Sequence, residues 1–162
     1  MGILLYRIDD RLIHGQVVVG WGQPFNVRFL VLVDDLVASS DWEKDLYRMA
    51  VPPEMDIYFA DVETAIREHA NYASDKRPGI LITGDIASMY RLVKGVSAIG
   101  SVNLGGLHHR AGRVEKLRYV FLTPAEEREL SALENAGIEV TAQDVPAAKP
   151  VPLAGVLAGE SK

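Results

Sequence analysis

The stretch Ile3-Leu4-Leu5-Tyr6-Arg7-Ile8-Asp9-Asp10-Arg11-Leu12-Ile13-His14-Gly15-Gln16-Val17-Val18-Val19-Gly20-Trp21 runs from one apolar segment through a charged turn into another. Ile3-Leu4-Leu5-Tyr6 reads as a first β-strand. Val17-Val18-Val19-Gly20-Trp21 is apolar enough for a buried helix. Between them, Arg7, Asp9, Asp10, Arg11 and His14 crowd into eight residues. Strand, polar turn, helix is the opening of an α/β fold, and such a turn is where proteins of that class usually do their chemistry.

Outward from this turn, short apolar runs alternate with helical patterns. Arg28-Phe29-Leu30-Val31-Leu32-Val33 is nearly continuously apolar, as a strand buried on both faces of a parallel sheet must be. Ser40 and Glu43 form a capping-box pattern ahead of a helix that places Trp42, Leu46 and Met49 on a single face. Further strands are predicted at residues 55–60, 79–83, 98–104, 119–122 and 138–142. Between them fall a helix carrying Val62, Ala65, Ile66 and His69 on one side, and another carrying Ile86, Met89, Tyr90 and Val93. Thr123-Pro124 with Glu126 opens a further helix, and Gly137 ends it. The pattern predicts a doubly wound, Rossmann-like α/β domain over residues 1–145, with a mostly parallel sheet of six or seven strands flanked by helices. Residues 146–162, rich in proline and alanine, are expected as a surface extension.

Bulk properties narrow the function. The chain has 162 residues, 48% of them apolar and 24% charged, which fits one globular domain. A net charge of −5 argues against a nucleic-acid binder. The absence of cysteine removes disulfides, thiolate metal sites and thiol nucleophiles. No apolar run approaches the roughly 20 residues of a membrane helix. Arg7, Asp9 and Asp10 interrupt the N-terminal apolar run too early for a signal peptide. A cytoplasmic location is expected. Neither a Gly-x-Gly-x-x-Gly turn nor a phosphate-binding loop ending in Gly-Lys-Ser/Thr occurs, which weakens a nucleotide-binding reading.

In an open α/β sheet, sites form beyond the carboxyl ends of strands where the strand order reverses. The turn after the first strand is expected there. Phosphoryl transfer needs a nucleophile and neutralisation of the charge on the transferred oxygens. His14 fits the first need, because an imidazole of ordinary pKa, about 6.5, is mostly neutral near pH 7. Arg11, three residues earlier, supplies a permanent forked cation. Arg7 is expected to contribute from the strand end, with Asp9 or Asp10 orienting Arg11 or fixing the imidazole tautomer. Gly15 permits close backbone approach, and the amides of Gly15, Gln16 and Val17 are candidates to face an anion. From the residues alone, a solvated ion-pair network is an equally good reading of Arg7, Asp9, Asp10 and Arg11.

The eleven residues from Arg7 to Val17 resemble the active-site segment of enzyme IIB components of the mannose/fructose/sorbose-type sugar phosphotransferase system. The order of elements over roughly residues 2–145 is similar as well, including Val102-Asn103-Leu104-Gly105-Gly106. The resemblance implies that His14 receives a phosphoryl group on Nδ1 from a phosphohistidine of a IIA protein. It implies onward transfer to a sugar held by the membrane components IIC and IID, without metal or other cofactor. It carries Arg11 and Asp9 over as supporting residues, and it places the protein at the membrane transporter's periphery, with homo-oligomerisation open.

Other features are read more plainly. His108-His109-Arg110, among Gly105, Gly106 and Gly112, is either a phosphate- or partner-contacting loop or an exposed polar one. A metal site of His14, His108 and His109 is disfavoured, since adjacent histidines rarely point at one ion. Thr83 is a candidate to hydrogen-bond phosphate, and Asp85 to cap a helix. Trp21, Trp42 and Tyr47 are expected in the core or at its rim, and His69 as a structural residue. Two alternatives to sugar transport stand beside it. One is a regulatory protein whose phosphorylation on His14 controls a partner; the other is a metal-dependent hydrolase on a similar sheet.

Overall fold

The computed structural model describes residues 2–159. Strands β1 (Gly2–Ile8), β2 (Phe29–Val33), β3 (Asp56–Ala60), β4 (Pro78–Thr83), β5 (Ser101–Leu104), β8 (Glu139–Ala142) and β9 (Val151–Pro152) form one seven-stranded sheet in the order β3-β2-β4-β1-β5-β8-β9. All neighbours are parallel except β8 and β9. Residues 29–33 are fully buried, as their unbroken apolar run requires of a strand covered on both faces.

Helices α1 (Asp35–Ala38), α2 (Asp41–Met49), α3 (Val62–Ala73), α4 (Ile86–Gly95) and α5 (Pro124–Asn135) connect the strands. The short polar residue before each one accepts backbone N–H groups of its first turn: Asp34, Ser40, Asp61, Asp85 and Thr123. Thr123 and Glu126 complete a reciprocal capping box. One core cluster joins α3, α4 and α5 to one face of the sheet through Ala65, Met89, Leu92 and Leu130. The other face carries Val17, Val18, Trp21, Leu30 and Leu32.

Four expectations change. Residues Gln16–Trp21 wind as a short π-helix rather than an α-helix. Residues 119–122 do not join the main sheet: β7 (Val120–Leu122) pairs antiparallel with β6 (Val114–Leu117), whose charged Glu115 and Lys116 had hidden it as a strand. The face of α2 bearing Trp42, Leu46 and Met49 points outward, with Trp42 71% and Met49 82% exposed, and Tyr47 packs on the core instead. Residues 151–158 are no loose extension. They form β9 and α6 (Leu153–Ala158), with Leu153 and Val156 buried in the main core cluster. Proline is tolerated there because β9 is an edge strand and Pro152 stands immediately before the helix.

From β1 the chain crosses to β2 on one side, and from β5 it proceeds to β8 on the other. The loops after β1 and β5 therefore diverge and leave a crevice at the carboxyl end of the sheet. Three backbone hydrogen bonds line it: Asp9 N–H to Thr83, Asp10 N–H to Gly106, and Gly105 N–H to Ile8.

Candidate active site

The turn at residues 9–15 is pinned by its apolar members. Leu12 and Ile13 are buried in the second core cluster, and Leu12 takes a left-handed backbone with φ 59°. Burying two such side chains contributes about 1.5–3 kcal/mol each, which offsets the strained conformer. With Leu12 and Ile13 turned inward, Arg11 and His14 are left at the crevice, their side chains 39% and 17% exposed.

Asp9 organises both. It is fully buried, and its Oδ1 accepts from the backbone N–H of Arg11 at 3.1 Å and from Arg11 Nε at 3.3 Å. Its Oδ2 accepts from Arg7 Nη2 at 3.3 Å and Gly106 N–H at 3.3 Å, and lies 3.4 Å from His14 Nε2. Burial works against the charge on Asp9, but the contacts from His14, Arg11 and Arg7 outweigh it and hold the carboxyl well below the usual carboxylate range. His14 Nε2 is itself buried and has no fully aligned hydrogen bond, so Asp9 is the acceptor it faces.

Arg7 stands at the carboxyl end of β1, one residue before its last, but is fully buried and does not face the open crevice. Nη1 donates to Asn103 Oδ1 and to the Gln143 carbonyl, Nη2 to the Asp144 carbonyl, and the guanidinium sits 4.8 Å from the Trp21 ring centroid. Burial pulls its pKa below the ordinary value, opposed by the Asp9 charge. A buried cation so enclosed acts on the site through Asp9. Gln16 accepts from Arg11 Nη2 at 3.2 Å and donates to Asp144 Oδ1 at 3.4 Å, which steadies the exposed arginine.

The other expected site residues are placed differently. The Val17 amide is spent on the His14 carbonyl at 3.0 Å, so it does not face the crevice as an anion donor. Thr83 is fully buried, and its hydroxyl donates to the Asp85 carbonyl; it braces Asp9 through its backbone carbonyl. Asp10 contacts neither Arg11 nor His14 but pairs with His108 at 2.7 Å. Gly15 precedes the π-helix with ordinary helical angles, and a Cβ there would meet nothing within 4 Å, so neither a special backbone conformation nor crowding calls for glycine at this position. His69 holds the Tyr6 hydroxyl at 2.6 Å, a structural role. Asn103, Gln143, Asp144 and Trp21 belong to the Arg7 clamp although sequence reasoning did not place them in the site. The available signal was an asparagine inside the apolar strand Val102-Asn103-Leu104, opposite an arginine in another strand.

The profile of the PTS system sorbose subfamily IIB component matches residues 3–162. The chain belongs to this family. It is 35% identical over 147 residues to the mannose-specific EIIAB component of Escherichia coli strain K12, covering 90% of this chain and 45% of that protein. It thus spans less than half the length of that relative. It is 32% identical over 143 residues to the sorbose-specific EIIB component of Klebsiella pneumoniae, covering 86% of this chain and 85% of that one. The crystal structure of the IIBSor domain of the Klebsiella pneumoniae sorbose permease superposes with a TM-score of 0.88 at 26% identity, over 99% of this chain and 98% of that one. The expected fold class and family are therefore both established. No helix among the described residues of this IIB chain is long and apolar enough to cross a membrane.

Proposed function

We propose that this IIB component is a phosphocarrier: His14 accepts a phosphoryl group from a phosphohistidine of a IIA protein and passes it to a sugar at the IIC and IID membrane components. The observation that carries the reading is the single buried carboxylate, Asp9, that faces His14 Nε2 while holding Arg11 by two of its donors. With the Nε2 proton directed at Asp9, Nδ1 carries the free electron pair and is the nucleophile. As it attacks, the new P–N bond forms while the P–N bond to the donor imidazole breaks, and the donor nitrogen keeps that electron pair. Arg11 neutralises charge on the phosphoryl oxygens, where a forked, permanently charged donor is most effective. In the second step a sugar hydroxyl attacks phosphorus, the P–Nδ1 bond breaks, and the hydroxyl proton goes to the vacated nitrogen. Family membership supports the sugar-system setting, and the mannose-specific EIIAB relative, which carries both names in one protein, supports a IIA donor. Association with the transporter then places the protein at the cytoplasmic face of the membrane.

The test is incubation of the full chain with a phosphorylated IIA protein, followed by mapping of acid-labile phosphate. Label is expected on His14 Nδ1, and none on a folded His14→Ala variant. Wild-type labelling of His14→Ala removes the assignment.

A further inference from the structure

Asp10 is the aspartate of the turn that the Arg7–Asp9–Arg11 cluster leaves unused. Its Oδ2 accepts the backbone N–H of His108 at 2.7 Å, its Oδ1 lies 2.7 Å from His108 Nδ1, and its own amide donates to the Gly106 carbonyl at 2.9 Å. From the other side Arg113 Nη1 donates to the His108 carbonyl at 2.8 Å. Arg113 is in turn held by both oxygens of Glu126, at 3.1 Å and 2.7 Å. An exposed loop side chain is usually free to rotate, and fixing one costs entropy. His108 is 58% exposed and yet fixed through ring, amide and carbonyl, with an acceptor carboxylate that is only 8% exposed.

The ring is fixed beside the crevice. The position a Cβ would take on Gly106 lies 3.4 Å from His108 Cε1, 3.5 Å from Arg11 Nη2 and 3.6 Å from Asp9 Oδ1. The tips of these three side chains converge on one side of the Gly106 backbone. Since Nδ1 is committed to Asp10, Nε2 is the ring nitrogen left for a ligand.

We propose that His108 is a second phosphoryl-contacting residue, its ring set by Asp10 so that Nε2–H donates to an oxygen of the phosphoryl group on its way to, or resident on, His14. This rests on the reading of His14 as the carrier. His108 keeps its proton throughout: the P–N bonds are made and broken at His14 and the donor imidazole. In its charged form it donates one N–H to Asp10 and one to phosphate. The charged groups facing it are Asp10 from the first turn, Arg11 and Asp9 across Gly106, and Arg113 backed by Glu126. A phosphate contact made by an imidazole, unlike one made by a guanidinium, is of the kind that responds to pH in the neutral range, which gives the proposal its readout.

The experiment uses the full chain with phosphorylated IIA as donor. It measures the single-turnover rate of label appearing on His14, its pH profile, and the phosphorus NMR shift of phospho-His14 against pH. His108→Ala is expected to slow transfer roughly 10-fold, the loss of one charge-assisted hydrogen bond. It should also flatten both pH dependences. His108→Gln, which retains a neutral donor, should recover part of the rate without the pH dependence, and Asp10→Asn should act in the same direction as His108→Ala. Should His108→Ala lower the urea midpoint, His108→Gln decides by the same two pH readouts. Wild-type rate and an unaltered phosphorus titration in both His108 variants overturn the proposal alone, while His14 labelling stands. If the wild-type chain takes no label on His14, the carrier reading and this proposal fall together.

Discussion

Asp9 Oδ2 lies 3.4 Å from His14 Nε2 and 3.3 Å from the Arg7 guanidinium, so one oxygen faces both a ring nitrogen of His14 and the buried cation beneath it. Arg7 alone in the core is costly, and Asp9 alone has no reason to stay charged; together, with Asn103 and the carbonyls of Gln143 and Asp144, they pair the charges and occupy both terminal nitrogens of the guanidinium, leaving Nε without a partner. The outer oxygen then holds Arg11. A layered arrangement of this kind fixes the geometry of His14 and Arg11 in advance, and under the proposed phosphocarrier role that preorganisation keeps binding energy for the transition state.

Asp9→Asn is therefore expected to injure stability and transfer together. Removing one charge of a buried pair costs about 3–5 kcal/mol, because Arg7 remains enclosed without its counter-charge. The amide also presents both donor and acceptor to His14 Nε2, so the tautomer is no longer dictated, and the transfer rate is expected to fall roughly 10²-fold or more. Urea denaturation and labelling of His14 check the two effects separately. Asn at near wild-type rate removes Asp9 from its orienting role.

The pH dependence of that stability has a definite sign. The Asp9 carboxyl is held below its unfolded value of about 3.9, so folding favours the ionised form. Its contribution is fully present above that unfolded value and is lost as pH falls through the lower folded value. The difference in urea midpoint between wild type and Asp9→Asn should thus be flat from neutral pH to about pH 5 and shrink only below about pH 4. A difference that collapses near pH 6 points to histidine as the titrating partner.

Two adjacent glycines behave oppositely. A Cβ on Gly105 overlaps the Arg7 guanidinium, which is held on several sides and has nowhere to move. A Cβ on Gly106 meets its neighbours only at 3.4 Å and beyond, which is ordinary contact. Gly105→Ala is expected to cost about 1–3 kcal/mol, or more if the clamp opens, and Gly106→Ala under about 1 kcal/mol. Equal urea midpoints for the two variants contradict a rigid Arg7 clamp.

How far the sequence discloses this arrangement follows from where its determinants sit. Asp9, Arg11 and His14 lie within six residues, so the turn announces itself. The Arg7 clamp does not, because Asn103 and Gln143 reach Arg7 only through the pairing of β1 with β5 and of β5 with β8. Sheet order is not written in any local pattern. The same limit explains Val120-Phe121-Leu122, whose apolar run suits a central parallel strand as well as the small hairpin it joins. Periodicity found one apolar face on α2 but not its direction: Trp42, Leu46 and Met49 face outward while Tyr47 alone faces the core. Composition misled at the C-terminal end, where proline and alanine suggested a loose segment. There Val151 and Pro152 pair with β8, and Leu153 and Val156 are buried.

That C-terminal segment yields the last prediction, because it bears on the site as well as on the core. The Gln143 side chain donates to the carbonyls of Pro146 at 3.1 Å and Ala148 at 2.8 Å, while its backbone carbonyl and that of Asp144 accept from Arg7. The turn that leads to β9 is thus the far wall of the Arg7 clamp. Leu153→Ala removes a buried side chain of the main cluster and is expected to cost about 2–5 kcal/mol. Gln143→Ala leaves the core intact but unties the turn and also loses the bond that Gln143 Oε1 accepts from Asn103 Nδ2 at 3.4 Å, three hydrogen bonds in all worth about 0.5–1.5 kcal/mol each. Leu153→Ala should lower the urea midpoint without changing the rate at which the remaining folded protein labels His14. Gln143→Ala should lower the midpoint less and the labelling rate more, since Arg7, Asp9 and His14 are coupled through one cluster. If the two variants instead shift rate in proportion to stability, the C-terminal turn acts on the fold alone, and the clamp ends at Asn103.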